Sequence, residues 1–118
     1  CRPVELVAMA NEFPDIRFNF AYCRPMGEMA KVIADCPNVW TDTAYMALEE
    51  FPRLRDYDWH DRLMFGTDLP VWQSHDDVGL TKRYREYVCA FRATRLEEDA
   101  GKAFRKFCQG SCKKVLCP

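Results

Sequence analysis

The chain has 118 residues with a formal net charge of -1, and 48% of them are hydrophobic, which suits a folded core and excludes an intrinsically disordered protein. The balanced charge argues against nucleic-acid binding, because proteins that bind nucleic acid usually carry a basic excess that attracts phosphates. No apolar stretch approaches the roughly 20 residues of a membrane helix and no signal peptide opens the chain, so the sequence predicts a cytoplasmic protein without membrane contact.

The first half of the chain alternates helical and strand patterns. A helix is predicted from near Pro3 to Pro14, where the proline ring prevents its continuation. A second helix is predicted to begin at Pro25, a residue suited to a first helical turn, and to end before Cys36. The predicted strands of the whole chain are 16–21, 38–42 and 62–66.

The second half is predicted to be mostly helical around the third strand. Residues 43–57 have a mixed loop and helix pattern that Pro52 interrupts. The apolar spacing of residues 80–91 is that of an amphipathic helix. A last helix is predicted over residues 96–108, with Gly110 as its C-terminal cap.

The near-even spacing of the three strands, with helical segments between them, predicts an α/β fold with parallel strands joined by crossover helices. Both a doubly wound sheet and a (β/α)8 barrel fit this pattern. Three strands cannot close a barrel, and as an open sheet they leave two edges unpaired. The sequence therefore predicts one part of a domain over residues 1–118, covered by an oligomeric partner or by a missing barrel segment.

Polar side chains follow all three predicted strands. The segments are Ala21-Tyr22-Cys23-Arg24-Pro25, Thr41-Asp42-Thr43-Ala44-Tyr45 and Phe65-Gly66-Thr67-Asp68-Leu69-Pro70. Parallel α/β folds place their chemistry at this end of the strands.

The order of these motifs, with DRLMFGTDLP last, resembles the C-terminal third of the amidohydrolase-related family of metal-dependent TIM-barrel hydrolases and decarboxylases. The resemblance implies a partial (β/α)8 barrel formed by the last three β-α units and the C-terminal helices. It also implies that Asp68 binds a divalent metal, zinc being the expected ion, and accepts the proton of its bound water. Alternatively, Asp68 caps the turn or helix that is expected to begin at Pro70.

Three further residues are candidates for contact with a small-molecule substrate. Tyr22 stands where the resemblance implies a histidine, and with a pKa near 10 it cannot replace that residue as an acid or base at neutral pH. It is expected either to donate a hydrogen bond to a substrate or to be a packed aromatic residue at the barrel mouth. Arg24 is expected either to bind a substrate carboxylate or to pair with Asp42. His75 lies on the same side of the predicted barrel, as a substrate contact or an ordinary loop residue, and His60 is expected at the opposite surface.

The resemblance implies a hydrolase in which metal-activated water attacks a C-N, C-O or lactone bond. The upstream ligands of such a site, an H-x-H pair and a further histidine, are missing from this sequence, so the chain is expected to be inactive alone. The alternative is a truncated or degenerate derivative that acts as an oligomeric or binding module without turnover. An unrelated anion-binding α/β domain is disfavoured because no glycine-rich phosphate loop is present.

Overall fold

The structure, a computed structural model, describes residues 2–68 and 77–116, and its three strands pair in parallel. The strand order is β1-β2-β3, with Phe18 opposite Val39 and Thr41 opposite Leu63. This confirms the predicted parallel α/β arrangement, although each strand is shorter than predicted. The strands are β1 (Phe18–Phe20), β2 (Val39–Asp42) and β3 (Leu63–Met64).

Helices precede, connect and follow the strands largely as predicted, with Pro3 in the first turn of one helix and Pro25 as the N-cap of the next. Two details differ. The segment 43–57 contains a 3-10 helix that includes Pro52, and Gly110 lies inside the last helix instead of ending it. A single glycine costs only about 1 kcal/mol in a helix, so it does not by itself end one. The helices are α1 (Pro3–Glu12), α2 (Met26–Asp35), the 3-10 helix (Leu48–Asp56), α3 (Asp77–Ala93) and α4 (Glu97–Leu116).

One face of the sheet forms the main core. Successive side chains of a strand point to opposite faces, so Val39 and Leu63 share a face with Phe18. This face packs against buried side chains of the helices, which include Met29 and Ile33 of α2.

The opposite face is covered by α4 in its central part. Trp40 and Met64 form a small cluster with Ala103 and Phe107 of that helix. The Trp40 indole Nε1–H donates to the Ala103 carbonyl at 3.2 Å, and its ring packs edge-on against Phe107 at 5.6 Å between centroids. Asn19 lies on the same face, opposite Trp40, but is exposed, so α4 leaves this position of β1 uncovered.

Arg62 joins the end of α2 to the sheet from a buried position, with 9% of its surface exposed. Its guanidinium donates to the Val39 carbonyl at 3.2 Å and to the carbonyls of Cys36 and Ile33. The helical partner of the Ile33 carbonyl would be residue 37, a proline without an N–H. Arg62 therefore supplies a hydrogen bond that the backbone cannot make.

Each outer strand, β1 and β3, is paired on one side among the residues that the structure describes. Within those same residues, no helix combines the length and the apolar character needed to cross a membrane.

Candidate active site

Asp68 and Tyr22, predicted from two different strand ends, come together at the carboxyl end of the sheet. Both have left-handed backbone conformations, with φ of 61° and 78° respectively. A side-chain hydrogen bond with Asp68 is the largest cause that raises the pKa of Tyr22, and the negative charge of Asp68 acts in the same direction. The phenol therefore stays protonated at neutral pH, with its hydroxyl close to the carboxylate.

Asp42, at the end of β2, organises the backbone of this region. Its Oδ1 accepts hydrogen bonds from the backbone N–H groups of Tyr22 at 3.2 Å and Ala44 at 3.0 Å. Its Oδ2 accepts from Asn19 Nδ2 at 2.8 Å. Both oxygens of Asp42 are thus engaged in holding the ends of β1 and β2 together.

Arg24 contacts two aromatic rings and makes no ion pair with Asp42. Its guanidinium carbon lies 5.3 Å from the centroid of the Tyr22 ring and 5.7 Å from that of Tyr45. These distances fit cation-π contacts. Among the ion pairs between described residues, none involves Arg24. Of the two predicted roles, the contact with Asp42 is therefore not observed, and the guanidinium faces a cleft.

This cleft has a volume of about 480 Å³ and lies between the segment that follows β2 and helix α3. Its size is within the range typical of small-molecule sites. It combines aromatic and apolar walls with two guanidinium groups and two carboxylates. The lining residues are Arg24, Tyr45, Met46, Ala47, Leu48, Glu49, Glu50, Arg83 and Tyr87.

The wall formed by Tyr87 is fixed by hydrogen bonds. The Tyr87 hydroxyl donates to the Thr43 carbonyl and accepts from the Met46 N–H at 3.0 Å, and burial raises the pKa of this phenol. The Thr43 hydroxyl in turn donates to the Gly66 carbonyl at 3.0 Å and accepts from the Gly66 N–H at 3.1 Å. These bonds connect the segment after β2 to the segment that leads into Asp68.

The described residues do not by themselves fit a divalent metal ion. Asp68 is one carboxylate, and both oxygens of Asp42 accept hydrogen bonds. Within residues 2–68 and 77–116, no group of three or more His, Cys, Asp or Glu side chains could hold such an ion. Protein zinc sites normally use three or four protein ligands.

The two histidines give no further site residue in the described region. The side chain of His60 is 45% exposed, and its Nδ1 lies 3.7 Å from an oxygen of Asp58. It precedes β3 and so lies at the end of the sheet opposite Asp68, as predicted. His75 lies outside the described residues.

Comparison with known protein families identifies the lineage. The family model described as Amidohydrolase matches residues 2–104, which is most of the chain. The chain belongs to the amidohydrolase family. No match was found among the curated proteins or the solved structures that were compared.

The amidohydrolase match includes all three strands and the segments after them, so Tyr22, Arg24 and Asp68 lie within it. Two residues of the cleft, Tyr45 and Arg83, were not predicted from the sequence. Tyr45 follows the end of β2 closely, which was a usable signal. Arg83 is one helical turn before Tyr87 on α3 and stands apart from any strand end, so no local pattern singled it out.

Proposed function

We propose that this chain is the C-terminal segment of a metal-dependent hydrolase of the amidohydrolase type, formed by the last three β-α units of a (β/α)8 barrel. Membership of the family supports the hydrolase class. The parallel sheet supports the barrel, because β1 and β3 each offer an unpaired edge in the described structure to which further strands can add.

The observation that carries the proposal is the position of Asp68, which follows the last strand and meets the end of β1 through Tyr22. In the proposed enzyme, Asp68 contributes one metal ligand and the remaining ligands come from outside the described residues. A divalent ion in such a site lowers the pKa of bound water. Arg24 and the cleft bind the substrate, and His75 is a further proposed substrate contact.

We expect the chain alone to be inactive, since one carboxylate binds a divalent ion weakly. Several apolar side chains that a complete barrel or an oligomeric partner can cover are exposed here, among them Phe13, Ile16 and Phe104, with 45%, 46% and 57% of their surfaces accessible. The missing segment is therefore proposed to supply both the other ligands and this cover.

A second candidate function is a binding module without turnover. The presence of Tyr22 close to Asp68 favours it, because a phenol stands there in place of the histidine that the resemblance implies for an active enzyme. The cleft at Arg24 would then be the ligand-binding site of the protein.

Metal content distinguishes the two candidates when the chain is compared with a fusion that places the first five β-α units of an amidohydrolase barrel before it. We expect elemental mass spectrometry to find little divalent metal in the chain alone and about one ion per molecule in the fusion. Asp68→Asn should remove that ion and abolish hydrolysis of ester, lactone and amide substrates.

Asp61→Asn is the matched control, because Asp61 precedes β3 at the opposite end of the sheet and its carboxylate lies 3.7 Å from Lys106. It should leave the metal content and the hydrolysis unchanged. A fusion that holds its metal and its activity equally well with Asp68→Asn would refute the role of Asp68. A fusion with neither metal nor activity would favour the binding module.

A further inference from the structure

We propose that the cleft binds a small monocarboxylate with an aromatic or aliphatic body, and that Arg24 and Arg83 together hold the carboxylate. As a statement of substrate class this rests on the proposed hydrolase function. The binding itself requires no metal and no catalysis, because the charged and apolar groups of the cleft all belong to this chain.

The apolar part of the cleft is preformed. Met46 and Tyr87 are buried, with 6% and 3% of their surfaces exposed, and the hydrogen bond between the Met46 N–H and the Tyr87 hydroxyl fixes one against the other. Tyr87 is also packed edge-on against Phe51 at 4.8 Å between ring centroids. A rigid wall of this kind binds an apolar ligand body without a large cost of ordering.

Arg24 is placed by two aromatic rings and keeps its donors available. Its guanidinium carbon lies within 5.7 Å of the ring centroids of Tyr22 and Tyr45, and no ion pair between described residues involves this guanidinium. A planar guanidinium can hold both oxygens of one carboxylate through two parallel hydrogen bonds.

Arg83 adds a second positive charge from the α3 side of the cleft. It is exposed, and it takes part in no ion pair between described residues. Two arginines without a carboxylate partner in the described structure, on opposite elements of one cleft, favour an anionic ligand between them.

The cleft also contains Glu49 and Glu50, and their position explains their charge without a ligand. Both lie in the first turn of the 3-10 helix, where the unpaired N–H groups of a helix start interact favourably with acidic side chains. They nevertheless repel a second negative charge. The ligand that fits the cleft therefore carries one carboxylate rather than two.

Tyr22 lies between the cleft and the candidate active site, because its ring contacts Arg24, which lines the cleft, and the Asp68 side chain is close enough to raise the pKa of its hydroxyl. A carboxylate held at Arg24 would thus lie next to the groups proposed for chemistry. In the proposed enzyme, Arg24 would bind the carboxylate end of the substrate, and the bond to be hydrolysed would lie in the rest of the substrate molecule.

The test is a titration of the isotope-labelled chain, in the presence of a metal chelator, with three ligands that share one body and differ in charge. These are 3-phenylpropionate, 3-phenylpropionamide and 3-phenylpropylamine. Amide chemical shifts measure the dissociation constants. We expect the carboxylate to bind about tenfold or more tightly than the other two, with shift changes at Tyr45 and Arg83.

Arg24→Gln and Arg83→Gln should each weaken binding of the carboxylate about tenfold and leave the amide almost unaffected. Arg85→Gln is the matched control, because Arg85 is an exposed arginine of α3 that does not line the cleft. It should leave the affinity unchanged. Arg24→Lys, which keeps the charge but loses the planar fork, should give an intermediate affinity.

Equal affinity for the three ligands, tighter binding of the amine, or no saturable binding of the carboxylate would each overturn the proposal on the unaltered chain. So would an effect of Arg85→Gln as large as that of Arg83→Gln. Because the titration contains a chelator, these outcomes are independent of the metal content and hydrolysis that test the proposed function.

Discussion

Replacement of Arg62 by methionine is expected to destabilise the fold severely. Methionine retains much of the side-chain volume but cannot donate hydrogen bonds. The Ile33 and Val39 carbonyls would each lose the guanidinium as a donor, while the Cys36 carbonyl would keep the Val39 N–H at 3.2 Å. A buried acceptor without a partner costs about 1 to 3 kcal/mol. Two such acceptors predict a loss of about 2 to 6 kcal/mol.

The variant also avoids the cost of burying the charged Arg62 guanidinium, which offsets part of this loss. Desolvation disfavours that charge and lowers the pKa of Arg62. Urea unfolding followed by circular dichroism measures the free energy of unfolding, with Arg53→Met as the control. Arg53 is exposed and makes no ion pair with another residue in the part of the chain that the structure describes, so its replacement should change stability by less than about 0.5 kcal/mol. A change below about 1 kcal/mol for Arg62→Met would refute the reasoning.

Two further predictions concern a thiol and the cover over Trp40. Burial is the largest cause that raises the pKa of Cys23 from 9.0 to about 12. Iodoacetamide at pH 8 should therefore alkylate the exposed Cys89 and spare Cys23, which peptide mass mapping would show. Equal labelling of the two thiols would contradict this prediction. Because the folded-state pKa is the higher one, the protonated thiol favours folding below pH 9, and this contribution is lost as the pH rises towards 12. Trp40→Phe removes the hydrogen bond to Ala103 and should cost about 1 kcal/mol. It should also speed amide hydrogen exchange in the first half of α4, and unchanged exchange would argue against the described contact.

Periodicity and prolines predicted most of the fold because they act locally. Pro3 and Pro25 mark helix starts by their fixed φ and missing N–H, whatever surrounds them. The strands were predicted to be longer than they are, because the ends of a strand depend on partners elsewhere in the chain. Beyond β3, for example, Gly66 bonds to the Thr43 side chain instead of continuing a backbone ladder.

The candidate site was predictable only where it depends on strand ends. Tyr22 and Asp68 follow two parallel strands, so their meeting follows from the topology. The bond from the Ala44 N–H to Asp42 is a local cap of the segment that follows, which the sequence allows, whereas the bonds from Tyr22 and Asn19 were not predictable because those donors come from another strand. The hydrogen bonds of Arg62 were not predictable either. The residue is visible in the DRLMF motif, but its acceptors lie more than twenty residues away in the chain.

The contact between α4 and Trp40 has a consequence for the order of folding. Trp40 and Ala103 are 63 residues apart, whereas the strand contact between Thr41 and Phe20 joins residues 21 apart. Closing the longer loop costs about 1 kcal/mol more chain entropy, so the strands are expected to pair before α4 arrives. Until then the face with Trp40 and Met64 is bare and prone to self-association. The rate at which α4 docks on this face therefore determines how long a refolding chain is prone to aggregation.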